Sequence, residues 1–125
     1  MELVETVRGE TREVSRVRHA LAAALSDWGV GDDDSDVAVL LTSEIVTNAI
    51  RYGGPPMELH AELHGVDLRV SMDDGGHDPV VPTENVRWDA RGGRGLHLVE
   101  ALSNRWGVLN GGRGKQVWFE LKLAG

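Results

Sequence analysis

The first part of the chain carries apolar residues at the three- and four-residue spacing of an amphipathic helix. This spacing predicts a helix over 10–28, and Gly29 ends it. The residues that follow the pattern are Val14, Val17, Leu21, Ala24, Leu25 and Trp28.

A second helix is predicted over 35–52. The acidic run 31–36 before it supplies turn and capping side chains, and it places negative charge at the positive end of the helix dipole. Residues 53–56 read Gly-Gly-Pro-Pro and end the helix, because prolines cannot continue it. A different element is therefore expected to start after Pro56.

Strict alternation of apolar and polar residues then predicts strands over 57–63 and 67–72, joined by a short turn into an antiparallel hairpin. Two more strands are predicted over 106–109 and 116–123, and a further strand over 2–8.

Two segments separate the predicted hairpins. Residues 73–92 contain two prolines and few apolar residues, and a loop of this length indicates a lid or a binding segment. A short third helix is predicted from Leu96 to Leu102, opened by residues 92–95, Gly-Gly-Arg-Gly. Helices grouped among antiparallel hairpins indicate an α+β sandwich with one sheet covered on one face.

Composition narrows the classes of protein. The chain has 125 residues, 13 Lys plus Arg, 20 Asp plus Glu, no cysteine and a formal charge of −7. We expect one domain over 1–125, because a second core would not fit. The negative charge disfavours direct nucleic-acid binding, and the lack of cysteine excludes disulfides and thiolate metal sites. No basic leader or long apolar stretch is present, so we expect a cytoplasmic protein without membrane contact.

Three polar residues of the second predicted helix lie on one face. Glu44, Asn48 and Arg51 follow each other at four- and three-residue spacing. An amide oxygen is a hard ligand suited to magnesium, and a carboxylate can accept a proton from a nucleophile. The alternative is an ordinary solvated helix face.

Strand parity gives Asp74 a different environment from Asp73. Leu68, Val70 and Met72 face inward, so Asp74 is the next inward position and Asp73 points outward. A carboxylate on the apolar side needs a donor. The amino group of a purine would serve, and so would the backbone amides of the following turn, which contains two glycines.

The glycines at 92–95 precede a helix, so their amides can hold phosphate oxygens or merely form a hinge. His60, His64 and Glu62 share one strand face. We interpret them as solvated surface and not as a zinc site, since no fourth ligand is evident. Trp88 in the long loop covers a ligand, contacts a partner or only packs the loop.

Four segments in fixed order resemble the GHKL superfamily of ATP-binding proteins, which share the Bergerat fold. They are Leu40–Gly53 (LLTSEIVTNAIRYG), Asp74-Gly75-Gly76, Gly92–Leu96 (GGRGL) and Gly114–Trp118 (GKQVW). Within this superfamily the chain is most similar to small anti-sigma-factor serine/threonine kinases, and Arg16 in the first helix also matches. The resemblance implies a two-layer α+β sandwich: a mixed, mostly antiparallel sheet covered by three helices on one face.

The resemblance also implies roles for individual residues. Glu44 matches the general base, which acts on a serine or threonine hydroxyl of a partner protein. Asn48 matches the ligand of the Mg²⁺ ion that bridges the ATP phosphates, and Arg51 stands where relatives have histidine or arginine. The other matched residues bind the nucleotide: Asp74 and Gly76 hold adenine, and Gly93, Arg94, Gly95 and Leu96 close over the phosphates.

The expected function is therefore that of an ATP- and Mg²⁺-binding kinase that phosphorylates an anti-sigma-factor antagonist and sequesters a sigma factor, with homodimer formation implied by the resemblance. Two departures motivate an alternative, a nucleotide-sensing protein-binding module without catalysis. Asp78 replaces a glycine of the adenine loop, and Lys115-Gln116 follows Gly114 where many kinases have threonine. A third hypothesis is an interaction domain with an empty cleft.

Overall fold

The computed structural model describes residues 1–76, 96–111 and 114–124. Within these ranges it contains five strands and three helices. The chain order is β1 (Glu2–Val7), α1 (Arg12–Asp27), α2 (Asp32–Tyr52), β2 (Met57–His64), β3 (Asp67–Asp74), α3 (His97–Leu102), β4 (Arg105–Gly111) and β5 (Gly114–Lys122).

The described strands form one sheet in the order β1-β2-β3-β5-β4. All four pairings are antiparallel, which makes the sheet wholly antiparallel over these strands. β2 and β3 form the predicted hairpin, and β5 lies between β3 and β4 although it follows β4 in the chain. The expected α+β sandwich and the additional N-terminal strand are confirmed.

The helices cover one face of the sheet. α1 packs on α2 and β1, α2 packs on β3 and β5, and α3 packs on α2 and β4. The inward residues of the strands meet the apolar stripes of the helices in one core, whose largest fully buried side chains include Leu21, Leu25, Leu41, Ile45, Leu59, Leu68, Met72 and Phe119. The other face of the sheet carries mainly polar residues on its three central strands.

Two of the differences between predicted and observed element boundaries bear on the site. α2 begins at Asp32, three residues before the predicted start, and Asp32, Asp33 and Asp34 form its first turn. Acidic side chains are favourable there because they face the positive end of the helix dipole. β3 extends to Asp74, so the segment predicted as a lid from residue 73 begins after the strand; residues 77–95 lie outside the described part.

None of the helices in the described ranges is long and apolar enough to span a membrane.

Candidate functional site

The C-terminal half of α2 brings the first candidate residues to the edge of the core. Asn48 is only 1% exposed, Glu44 is half-buried, and Arg51 in the last turn is exposed. The solvated-face interpretation is therefore wrong for Asn48, because a polar side chain on such a face would be open to water. This face of α2 is therefore exposed at Arg51 and buried at Asn48.

Glu44 lies opposite the start of α3. Its Oε1 accepts hydrogen bonds from the backbone amides of Leu98 and Val99, each at 3.2 Å. Burial raises the pKa of the Glu44 carboxyl above its usual range, and these two amide bonds only partly oppose that rise. Glu44 is thus a more basic carboxylate than one in water, and it also fixes α3 against α2.

Asp74 ends β3 on the covered face of the sheet. Its neighbours across the sheet are Met57 on β2 and Lys115 on β5, and Asp74 is 5% exposed. The parity argument that separated Asp74 from outward-facing Asp73 is confirmed. The sequence therefore placed a carboxylate correctly on the apolar side of the sheet.

The two oxygens of Asp74 have different surroundings. Oδ1 accepts a hydrogen bond from the amide of Gly76 at 2.8 Å. Oδ2 is buried and has no hydrogen-bond partner among the described residues. The turn amide expected from the sequence is thus present, but it satisfies only half of the carboxylate. An unsatisfied buried acceptor is costly, and a donor from a ligand would remove that cost.

Glycines surround this carboxylate closely. A Cβ atom on Gly53 would lie 2.5 Å from Asp74 Cγ, and one on Gly76 would lie 3.0 Å from Asp74 Oδ1. A Cβ on Gly114 would overlap the Asp74 backbone carbonyl, and Gly114 has φ of 154°. Glycine is therefore required at these positions, because a side chain there would collide with Asp74.

Gly53 was missed as a site residue. Its position after Tyr52 marked it as a helix terminator, and that role hides its second one. Its proximity to Asp74 depends on how the end of α2 packs against the end of β3, which the sequence does not display.

The remaining predicted site residues lie either in the hydrophobic core or outside the described residues. Leu96 is 2% exposed and belongs to the hydrophobic core just before α3. Gly93, Arg94 and Gly95 lie outside the described residues, as do Asp78 and Trp88. Their proposed roles stay predictions.

Lys115 and Gln116, which follow Gly114 where many kinases have threonine, lie on opposite faces of the sheet. Lys115 pairs with Asp74 in the register of β5 and β3, and Gln116 pairs with Asp73. Gln116 Nε2 donates to Asp73 Oδ1 at 2.8 Å. Gln116 therefore contacts the outward residue and not the Asp74 carboxylate.

The chain belongs to the histidine kinase-like ATPase domain family, whose model matches residues 7–121. The fold is similar to that in the crystal structure of the RsbU and RsbW domains of Rv1364c from Mycobacterium tuberculosis, with a TM-score of 0.77 and 24% sequence identity. The match covers 98% of this chain and 32% of that chain, so this chain spans about a third of its length. No curated protein matches the sequence.

Proposed function

We propose that this domain binds ATP together with Mg²⁺ and acts as an anti-sigma-factor kinase, which transfers the γ-phosphoryl group to a serine or threonine of an anti-sigma-factor antagonist. The observation that carries the proposal is the buried Asp74 Oδ2, which has no partner among the described residues. Family membership and the similarity to a structure that contains an RsbW domain support it.

The Asp74 end of the site fits adenine. The purine amino group is a hydrogen-bond donor, and Asp74 Oδ2 is an acceptor in need of one. The glycines at 53 and 76 carry no side chain that would crowd the carboxylate or a base that approaches it. Adenine specificity then comes from Asp74, because a base with a carbonyl at that position offers no donor.

The α2 end of the site fits the metal and the reacting groups. Asn48 offers an amide oxygen, a ligand that Mg²⁺ accepts, from a buried and therefore well-fixed side chain. When bound, Mg²⁺ neutralises phosphate charge as the phosphoryl group is transferred. Arg51, exposed at the end of the same helix, adds positive charge toward the phosphates.

Glu44 acts as the general base in this proposal. It takes the proton of the attacking hydroxyl while the new O–P bond forms and the bond from the γ-phosphorus to the β–γ bridging oxygen breaks, releasing ADP. The pKa of Glu44, raised by burial, strengthens it as a proton acceptor. Both amide bonds from α3 use Oε1, so α3 orients the carboxylate.

Titration with a fluorescent ATP analogue in the presence of Mg²⁺ tests nucleotide binding. Wild-type protein should saturate, Asp74→Asn should bind far more weakly, and Asp67→Asn on the same strand should match wild type, because Asp67 is exposed at the other end of β3. Saturable binding that Asp74→Asn leaves unchanged would remove the adenine assignment.

A transfer assay tests the chemistry. With radiolabelled ATP and the cognate antagonist, wild-type protein should label the antagonist, and Asn48→Ala should lose Mg²⁺-dependent binding. Glu44→Gln should retain nucleotide binding but lose transfer, because the amide cannot accept the proton. Transfer at the wild-type rate by Glu44→Gln would show that Glu44 is not the base.

A second candidate is a nucleotide-sensing protein-binding module without catalysis. The observation that favours it is the engagement of Glu44 with the amides of Leu98 and Val99, which holds this carboxylate in a structural contact. In that case nucleotide binding follows the pattern above, but no label reaches the antagonist. The same transfer assay therefore separates the two candidates.

A further inference from the structure

The outer face of the sheet, which the described helices do not cover, holds a polar groove of about 270 Å³. Side chains from the three central strands line it: His60, Glu62, Arg69, Ser71, Asp73 and Gln116. This groove lies on the opposite face of the sheet from Asp74, because Asp73 and Asp74 are consecutive in β3 and point to opposite sides.

Strand register brings three metal-ligating side chains together at one end of the groove. Glu58 on β2 lies directly opposite Asp73 on β3, and His60 is two residues from Glu58 on the same face. One ligand atom from each of the three residues lies within 4.8 Å of the others. All three residues are partly exposed, so an ion can reach them from solvent.

The distances within this triad fit a metal ion. His60 Nε2 is 2.9 Å from Glu58 Oε1 and 3.7 Å from Asp73 Oδ2. Ligands about 2.1 Å from one zinc-sized ion are separated by roughly 2.9–3.4 Å from each other. The first spacing lies at the lower end of that range and the second above it, so side-chain rotation would be needed to bring all three atoms to one ion. The ion would replace the proton of the hydrogen bond between His60 and Glu58.

Two neighbouring residues determine which charges surround the triad. Gln116 donates to Asp73 Oδ1, which leaves Oδ2 as the oxygen on the His60 side. Arg69, which also lines the groove, is paired with Glu120 at 2.9 Å and lies over the Trp118 ring at 4.3 Å. The two carboxylates therefore concentrate negative charge around His60.

We propose that Glu58, His60 and Asp73 form a binding site for a divalent transition-metal ion of the Zn²⁺ type on the outer face of the sheet. An imidazole favours such ions over Mg²⁺, for which oxygen ligands suffice. Three protein ligands leave further coordination positions to water. The site is independent of the nucleotide pocket, because the sheet separates them.

Calorimetric titration of the nucleotide-free protein with Zn²⁺ tests this site. One ion per chain should bind saturably, and His60→Gln and Asp73→Asn should each weaken binding about tenfold or more. His64→Gln is the matched control: His64 is on the same strand face, exposed, and 3.6 Å from Glu62. The His64→Gln variant should change the Zn²⁺ affinity by less than about twofold, because His64 is outside the ligand set.

Thermal unfolding of each variant without metal shows whether it is folded, and the visible spectrum of bound Co²⁺ provides a second readout that His60→Gln should alter. Two results would overturn the proposal: no saturable Zn²⁺ binding, or binding that His60→Gln leaves intact. Loss of Zn²⁺ binding in Asn48→Ala or Asp74→Asn would also overturn it, by placing the ion in the nucleotide pocket. Failure of ATP binding alone would leave the metal site standing.

Discussion

Two buried carboxylates near the same end of the sheet, one beside β1 and one at the end of β3, have opposite surroundings. Glu13, in the first turn of α1, is 9% exposed, and Asp74, at the end of β3, is 5% exposed. Both oxygens of Glu13 accept hydrogen bonds, from the Arg8 amide and from the Arg16 guanidinium at 3.0 Å each. Asp74 has one amide bond and one oxygen without a partner among the described residues.

The difference separates a carboxylate that is satisfied within the fold from one that our proposal assigns to ligand binding. Arg16 also contacts Glu5 at 2.7 Å and the Thr6 carbonyl at 2.7 Å, so Glu13 belongs to a network that joins α1 to β1. Hydrogen bonds from Arg16 and Arg8 hold the pKa of Glu13 at about 2. Both carboxylates are buried, so burial does not distinguish them; the oxygen without a partner among the described residues does.

The Asp74→Asn variant is the most direct test of the difference between Asp74 and Glu13. Asp74→Asn should weaken ATP-analogue binding about tenfold to a hundredfold, because a hydrogen bond to a charged acceptor is lost. The free energy of unfolding should stay the same or rise, since a half-satisfied buried charge is removed. Fluorescence titration and urea denaturation measure the two quantities. A large loss of stability would mean that Asp74 is structural, as Glu13 is.

The Gly53→Ala variant tests whether the position beside the Asp74 carboxyl group must lack a side chain. The added Cβ would meet the Asp74 carboxyl group at 2.5–2.7 Å, so the carboxylate must shift and the protein should lose about 1–3 kcal/mol of stability together with nucleotide affinity. Gly54→Ala is the control, because its Cβ would only touch Gly76 Cα at 3.6 Å. Equal denaturation midpoints for both variants would contradict the predicted crowding.

Glu13→Gln should give the reverse of the Asp74 result. Loss of its charged hydrogen bonds to Arg16 should lower the free energy of unfolding by about 1 kcal/mol. Nucleotide affinity should be unchanged, because the residue lies at the α1–β1 contact. Urea denaturation and the fluorescence titration check both. Weakened nucleotide binding in this variant would show that the two regions are coupled.

Lowering the pH should remove the contribution of ionised Glu13 to the free energy of unfolding. Its pKa is about 2 in the folded protein against an ordinary value of 4.5, so its contribution is fully present above pH 4.5 and is lost as the pH falls toward 2. Because the Arg16 side chain is 45% exposed, we expect only about 1 kcal/mol. The stability difference between wild type and Glu13→Gln should therefore shrink between pH 5 and 3, measured by urea denaturation; a constant difference would assign it to packing.

Periodicity and parity predicted most of the fold and the central part of the site. They placed α1, the β2–β3 hairpin and the inward position of Asp74, because each depends on local spacing that a sequence displays. The start of α2 was placed too late, since aspartates suit both a turn and the first turn of a helix. Glu13 was missed because its burial depends on Arg16 and on strand β1 and not on the apolar stripe.

Relations between strands were harder to predict. The sequence offered His60, His64 and Glu62 as neighbours along β2 and gave no fourth ligand. The actual cluster uses Glu58 and Asp73, and it requires the β2–β3 register, which pairs these two residues. A hairpin can be inferred from alternation, but its register depends on the geometry of the turn.

The position of β5 has a consequence for biosynthesis. β5 inserts between β3 and β4, so a nascent chain that has not yet emerged beyond Lys122 leaves β3 and β4 without their shared neighbour. Lys115 and Gly114 on β5 are also what flank Asp74. Closure of the sheet and completion of the surroundings of Asp74 therefore both depend on β5, the last of the described strands to be synthesised.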